Sequence, residues 1–185
     1  MILNKKPDYG NRTQCQESAR RLVAIGAEAV SRFTFRPGDS MASTRLSANF
    51  TLSEMTQTSS PLANVPSIEA VEALRLLCAQ VLQPLRDSVG ALHVNSGYRS
   101  AAVNAAKGGA ATSQHLYGEA ADVWADGISA ADLARRVVAL GLPFDQLIVE
   151  RPHPAESWLH ISYRAGRLRR EMLQKTATGY SPWAP

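Results

Sequence analysis

The sequence predicts an α+β domain in which helices pack on a small, mainly antiparallel sheet. Apolar residues recur every three or four positions between residues 68 and 85, the period of a helix with one buried face. Short β-rich runs stand at residues 92–96, 120–124, 145–150 and 158–163, separated by helical patterns or turn residues. The last two runs follow one another across a brief Pro-containing connection, as antiparallel neighbours do.

The elements follow in chain order. Residues 1–45 have a polar start, a predicted helix from about Gln14 to Ser31, and the stretch Phe35-Arg36-Pro37-Gly38-Asp39-Ser40. Phe50 to Met55 reads as a short helix start, with Thr51 as N-cap and Glu54 completing a capping box. Asn64 to Pro66 leads into a long amphipathic helix with Ile68, Val71, Leu74, Cys78, Val81 and Leu85 on one face. Leu92 to Ser96 forms a strand, and Tyr98-Arg99 ends it where a side chain can reach a cleft. Ser100 caps a short helix running through Ala106, which Gly108-Gly109 terminates. A loop at Ser113 to His115 enters the strand Ala120 to Trp124, and Asp126-Gly127 marks a turn. Ser129 and Asp132 open a helix reaching Leu140, closed by Gly141 and Pro143. Strands Asp145 to Glu150 and Trp158 to Tyr163 are joined by Arg151-Pro152-His153-Pro154. Strand alternation sets Leu159 and Ile161 on one face and Trp158, His160 and Ser162 on the other.

At 185 residues the chain is long enough for one domain with a substantial core. Its 45% hydrophobic and 19% charged residues are those of a globular protein, and no run approaches the roughly 20 apolar residues of a membrane span. Residues 1–45 hold eight Lys or Arg against four Asp or Glu, while the remainder holds twelve of each sign. The basic arm reads as a solvated tail, and no recognised motif accompanies it, so no specific nucleic-acid partner is expected. Cys15 and Cys78 lie far apart and predict no disulfide, with Cys78 a buried thiol. The expected state is a monomer.

The chemistry concentrates in Ser113-Gln114-His115-Leu116-Tyr117-Gly118-Glu119-Ala120-Ala121-Asp122 and in Trp158-Leu159-His160. His115, Asp122 and His160 supply two imidazoles and a carboxylate, the three protein ligands of a catalytic zinc site that keeps one position open. Gly118, Ala120 and Ala121 leave room for close backbone packing beside an ion. Of the other histidines, His93 reads as structural and His153 as an exposed loop residue. Trp158 suits core packing, a cover for the metal or a stacking surface, and Tyr117 suits a groove wall. Arg164, Arg167, Arg169 and Arg170 follow the last strand and are placed along one edge of a substrate groove.

Taken with Ser96-Gly97-Tyr98-Arg99-Ser100, Asn104 and Phe144-Asp145-Gln146-Leu147-Ile148-Val149-Glu150, these motifs resemble the zinc peptidase family M15 in order and kind, from about Ser47 to Tyr163. That family includes D-Ala-D-Ala carboxypeptidases, phage endolysins and the related hedgehog domain. The resemblance implies Zn2+ held by His115, Asp122 and His160, with Arg99 and Ser113 at the substrate and peptidoglycan stem peptides as partner. It leaves the catalytic base open. Many relatives carry an acid where this chain has Ser157; Glu150 is favoured here, with Glu156 as runner-up. Implied boundaries are a basic extension at 1–45, a peptidase domain at 46–175 and a C-terminal tail at 176–185. No secretory signal is read at the N-terminus, so cytoplasmic residence until a phage-type release, or action at the cell wall, is expected. The alternative function is a non-catalytic, zinc-stabilised cell-wall-binding module.

Overall fold

The computed structural model describes residues 44–153 and 156–185, with the backbone alone at residues 152, 153 and 156. The expected helix at Gln14–Ser31, Cys15 and the basic extension up to residue 43 lie outside the described residues.

In chain order the elements are α1 (Leu52–Met55), α2 (Ile68–Leu77), a π turn (Cys78–Leu82), α3 (Gln83–Val89), β1 (His93–Ser96) and α4 (Ala101–Ala106). A 3-10 turn (Gln114–Tyr117), β2 (Ala120–Trp124), α5 (Ala130–Ala139), β3 (Gln146–His153), β4 (Glu156–Ser162), β5 (Glu171–Thr176) and β6 (Gly179–Pro182) follow. The six strands form one sheet in the order β1-β2-β4-β3-β5-β6, antiparallel throughout except for the parallel β3–β5 pair. The α+β class with a mainly antiparallel sheet is therefore the one the sequence predicts.

Side-chain oxygens set the helix starts. Thr51 Oγ1 accepts from the Glu54 N–H, Ser67 Oγ from Ala70, Ser100 Oγ from Val103 and Ser129 Oγ from Asp132, each satisfying a donor that the first turn leaves unpaired. The long helix is interrupted at its centre. Pro84, in the first turn of α3, has no N–H to give the ladder, and the Gln83 N–H reaches back five residues to Cys78 O, which makes the π turn. Val71, Leu74, Cys78, Val81 and Leu85 are buried as expected, but Ile68, in the first turn, is 60% exposed. Burial pushes the Cys78 thiol well above its usual pKa, and the nearby Glu54 charge adds to this.

Alternation divides the sheet. Leu147, Val149, Leu159 and Ile161 are buried, and α5 packs on β3 and β4 with Leu133, Ala134 and Val137 inside. Each fully buried Leu or Ile contributes about 1.5–3 kcal/mol by leaving water. Gln146, Ile148, Glu150, Trp158 and His160 occupy the intervening positions and line a cavity.

Two features of the fold differ from the expectation. His153 ends β3 and pairs with Glu156, where a loop had been expected. Beyond Tyr163 the chain returns to the sheet as β5 and β6, so within the expected tail Thr176 ends one strand of a hairpin and Gly179–Pro182 forms the other.

Two contacts fix the turn that carries His115. Gly118 adopts φ +71, and a Cβ there would stand 2.3 Å from Ala70 O of α2. Asp145, at the entrance to β3, is 1% exposed and receives Arg169 Nε at 2.9 Å, the Arg169 N–H at 2.9 Å and Gln114 Nε2 at 3.0 Å. It thereby ties the turn to the segment entering β5. Burial opposes the Asp145 charge, but the hydrogen bonds from Arg169 outweigh it and hold the carboxyl below its usual pKa.

Gly118→Ala should cost about 1–3 kcal/mol or more in urea unfolding, since strain and clash act together; an unchanged midpoint would show that the turn yields freely. Because the folded-state pKa of Asp145 is depressed, its stabilisation is present above the unfolded value of about 3.9 and is lost as pH falls through the folded value. Asp145→Asn should therefore be less stable by about 1–3 kcal/mol at neutral pH, with the gap closing below about pH 4. A gap independent of pH would contradict the charge as its source.

Candidate metal centre

The loop after β1 builds the cradle for His115. Gly97 has no room for a side chain, because a Cβ would lie 2.3 Å from Met55 O, and its carbonyl accepts a hydrogen bond from His115 Nδ1 at 2.6 Å. The Arg99 N–H donates to His115 O at 3.0 Å. Asn64 holds this loop from outside: its Nδ2 donates to Tyr98 O at 2.9 Å, and its Oδ1 accepts the Ser100 N–H at 2.7 Å. Since a carbonyl can only accept, His115 carries a proton on Nδ1 and turns Nε2 toward Asp122.

Sheet register supplies the other two groups. Asp122 on β2 stands directly opposite His160 on β4, so their side chains share one face. Asp122 Oδ1 lies 3.3 Å from His115 Nε2 and 3.0 Å from His160 Nδ1. Asp122 Oδ2 is held by Arg99 NH2, while Arg99 Nε donates to Ser96 Oγ at 2.7 Å. The ligand atoms of His115, Asp122 and His160 all lie within 4.8 Å of one another, and each residue is buried.

This arrangement fits a metal ion. Donors about 2.0–2.1 Å from a tetrahedral zinc stand roughly 3.3 Å apart, close to the two spacings on Asp122 Oδ1. The set of two imidazoles and a carboxylate with oriented outer partners suits a borderline cation such as zinc. Burial by itself would raise the Asp122 pKa; the His115 charge and the hydrogen bonds with His115 and His160 overcome it and hold the carboxyl well below the usual range. The group is thus ready to ligate as a carboxylate.

The three residues open onto a cavity of about 580 Å³ that Arg99, Ser113, Glu150 and Trp158 also line. Glu150 pairs with Trp158 one step along from the Ile148–His160 pair, a diagonal neighbour at about 7–8 Å, within reach of a long side chain. It is 9% exposed, and its Oε2 accepts from Lys175 Nζ at 3.1 Å. Glu156 lies at the hairpin end, about 13 Å along β4 from His160, and its side chain falls outside the described residues. Ser113 precedes the 3-10 turn without a side-chain capping bond, so its hydroxyl is not committed there.

Several expectations are corrected. Tyr117 is 57% exposed and is not among the cavity residues. His93, in keeping with its structural reading, lies part-exposed at the sheet edge, stacked on Trp124 with centroids 4.2 Å apart. Of the C-terminal arginines, Arg169 alone among the described residues reaches the cavity; Arg164 pairs with Glu119 at 3.4 Å. Sequence reasoning did not single out Lys107, Gln114, Asp145, Lys175 or Tyr180. A polar side chain immediately before a ligand was the available signal for Gln114, whereas Lys175 and Tyr180 reach the site only through strand pairing.

Residues 48–162 match the family model described as Peptidase M15, a segment that holds the cradle loop, all three donors and Glu150. No curated protein matches the chain. The matched segment covers more than half of the sequence, and the chain belongs to the Peptidase M15 family of metal-dependent peptidases.

Proposed function

We propose that the protein is a zinc peptidase that hydrolyses amide bonds in peptidoglycan stem peptides, as a D-Ala-D-Ala carboxypeptidase or an endolysin-type endopeptidase acting at the cell wall. The observation that carries this reading is a carboxylate, Glu150, lining the same cavity as three convergent metal donors. A purely structural metal site would be closed and would need no acid beside it.

His115, Asp122 and His160 would hold the ion, which when bound supplies Lewis acidity toward the scissile carbonyl and the attacking water. Glu150 takes the proton of that water and returns it to the leaving amine. Lys175 engages Oε2 of Glu150 and holds the carboxylate in place. Arg99 has one NH2 proton and Nε committed to Asp122 and Ser96, and offers its remaining donors to the substrate backbone or a carboxylate. Ser113 adds a hydroxyl to the cavity from the start of the motif turn. The β3–β4 pairing sets Glu150 and His160 relative to one another before substrate arrives, and such preorganisation contributes to the rate.

Glu150→Gln should keep one bound zinc per chain while kcat falls by about 10²–10⁴-fold, read by mass spectrometry of fragments released from purified peptidoglycan. Chelator-treated protein should release nothing. Full activity in Glu150→Gln would transfer the role to Glu156 or reject the mechanism. Wall binding by the zinc-loaded wild type with no release of fragments would favour the non-catalytic module.

A further inference from the structure

The C-terminal hairpin adds a wall to the cavity from outside the segment that matches the family. β5 pairs in parallel with β3 at Glu150 and Lys175, and β6 pairs with β5 at Lys175 and Tyr180. Paired positions share a sheet face, so Trp158, Glu150, Lys175 and Tyr180 form one row across four strands, all of them lining the cavity. The family match ends at residue 162, before either strand begins.

Charge in the cavity as a whole is not balanced. Four cations, Arg99, Lys107, Arg169 and Lys175, line the cavity against two carboxylates, Asp122 and Glu150. Any divalent ion adds to the excess. Two of the cations are heavily engaged: Arg99 by Asp122 and Ser96, and Arg169 by Asp145 and by Glu171 at 3.1 Å. Lys175 differs. Its ammonium has three donors, two of which are directed at Glu150 and Tyr180, and its side chain is 42% exposed. Tyr180 sits 5.4 Å away, its ring facing the ammonium, and is itself 59% exposed. A cation steadied by an aromatic residue, with one donor to spare and a carboxylate already beside it, is suited to a second carboxylate.

The geometry points to Lys175, backed by Tyr180, as a specificity subsite for a free carboxylate of the peptide substrate, so that this chain selects anionic peptides through its C-terminal hairpin. The inference rests on the proposed peptidase function. The carboxylate is the peptide's C-terminus or an acidic side group, and the test separates them.

The probes are L-Ala-γ-D-Glu-L-Lys-D-Ala-D-Ala, its C-terminal amide, and the form with the D-Glu α-carboxylate amidated. With zinc-loaded full-length protein, kcat/KM for the unmodified peptide should exceed that for one of the amides at least tenfold, and the affected amide identifies the carboxylate. Lys175→Met should reduce that ratio to below about threefold, whereas Lys175→Arg should retain most of it. Because each ratio compares peptides within one variant, any disturbance of Glu150 cancels. Lys175→Gln, which can still donate to Glu150, replaces Lys175→Met if the latter does not fold. Equal turnover of all three peptides by the wild type, or an undiminished ratio without the lysine, overturns the subsite while leaving the peptidase reading intact. If no peptide is cut, the peptidase reading fails, and the same ratios are taken from calorimetric dissociation constants, where the absence of a preference or of binding overturns the subsite as well.

Discussion

Asp122 is the group on which the rest of the site depends. Its two oxygens do different work: Oδ1 faces both imidazoles, and Oδ2 is held by Arg99. A buried carboxylate with no partners would be protonated or would destabilise the fold, so its surroundings must favour the charge. The two histidines do so, and a bound cation would do so more strongly. The position of Asp122 on β2, between β1 and β4, follows from backbone pairing and needs no loop to hold it. The group that faces both histidines is therefore on a strand, which places a side chain more precisely than a loop does.

His115 is the one donor that does not come from a strand, and the structure around it is correspondingly dense in constraints. Gly97 and Gly118 each sit where a Cβ would collide with a backbone carbonyl, Met55 O and Ala70 O. Asp145 and Gln114 close the third side. The glycines of the motif are thus packing requirements that bring α1 and α2 against the metal cradle. In this way α1 and α2, which contribute no residue to the cavity, set the position of a ligand.

Much of this was legible in the sequence because it is encoded locally. Caps at Thr51, Ser100 and Ser129, the alternation that separates Leu159 and Ile161 from His160, and the short spacing between His115 and Asp122 are all properties of a few adjacent residues. The remainder depends on partners far along the chain. The Glu171–Thr176 strand is only partly buried and lacks a marked alternation, and nothing nearby in sequence says that it will run parallel to β3. The π turn needed the combined effect of Pro84 and a helix buried on both sides of it, which a count of apolar spacings does not contain. Ile68 satisfied the helical period yet sits in a first turn that the core does not reach. Arg99 illustrates the same limit in chemistry: its type suggested substrate, while its contacts in the fold tie it first to Asp122 and Ser96.

The account's central claim is that one ion is held jointly by His115, Asp122 and His160. The most direct measurement is zinc-edge X-ray absorption on protein loaded with one equivalent of zinc. Two imidazole nitrogens and light oxygen donors at about 2.0–2.1 Å, with no sulfur, are the expected shell, and the imidazole signal should weaken in His160→Ala. A shell containing thiolate, or one unchanged by that substitution, would place the metal elsewhere and contradict the account.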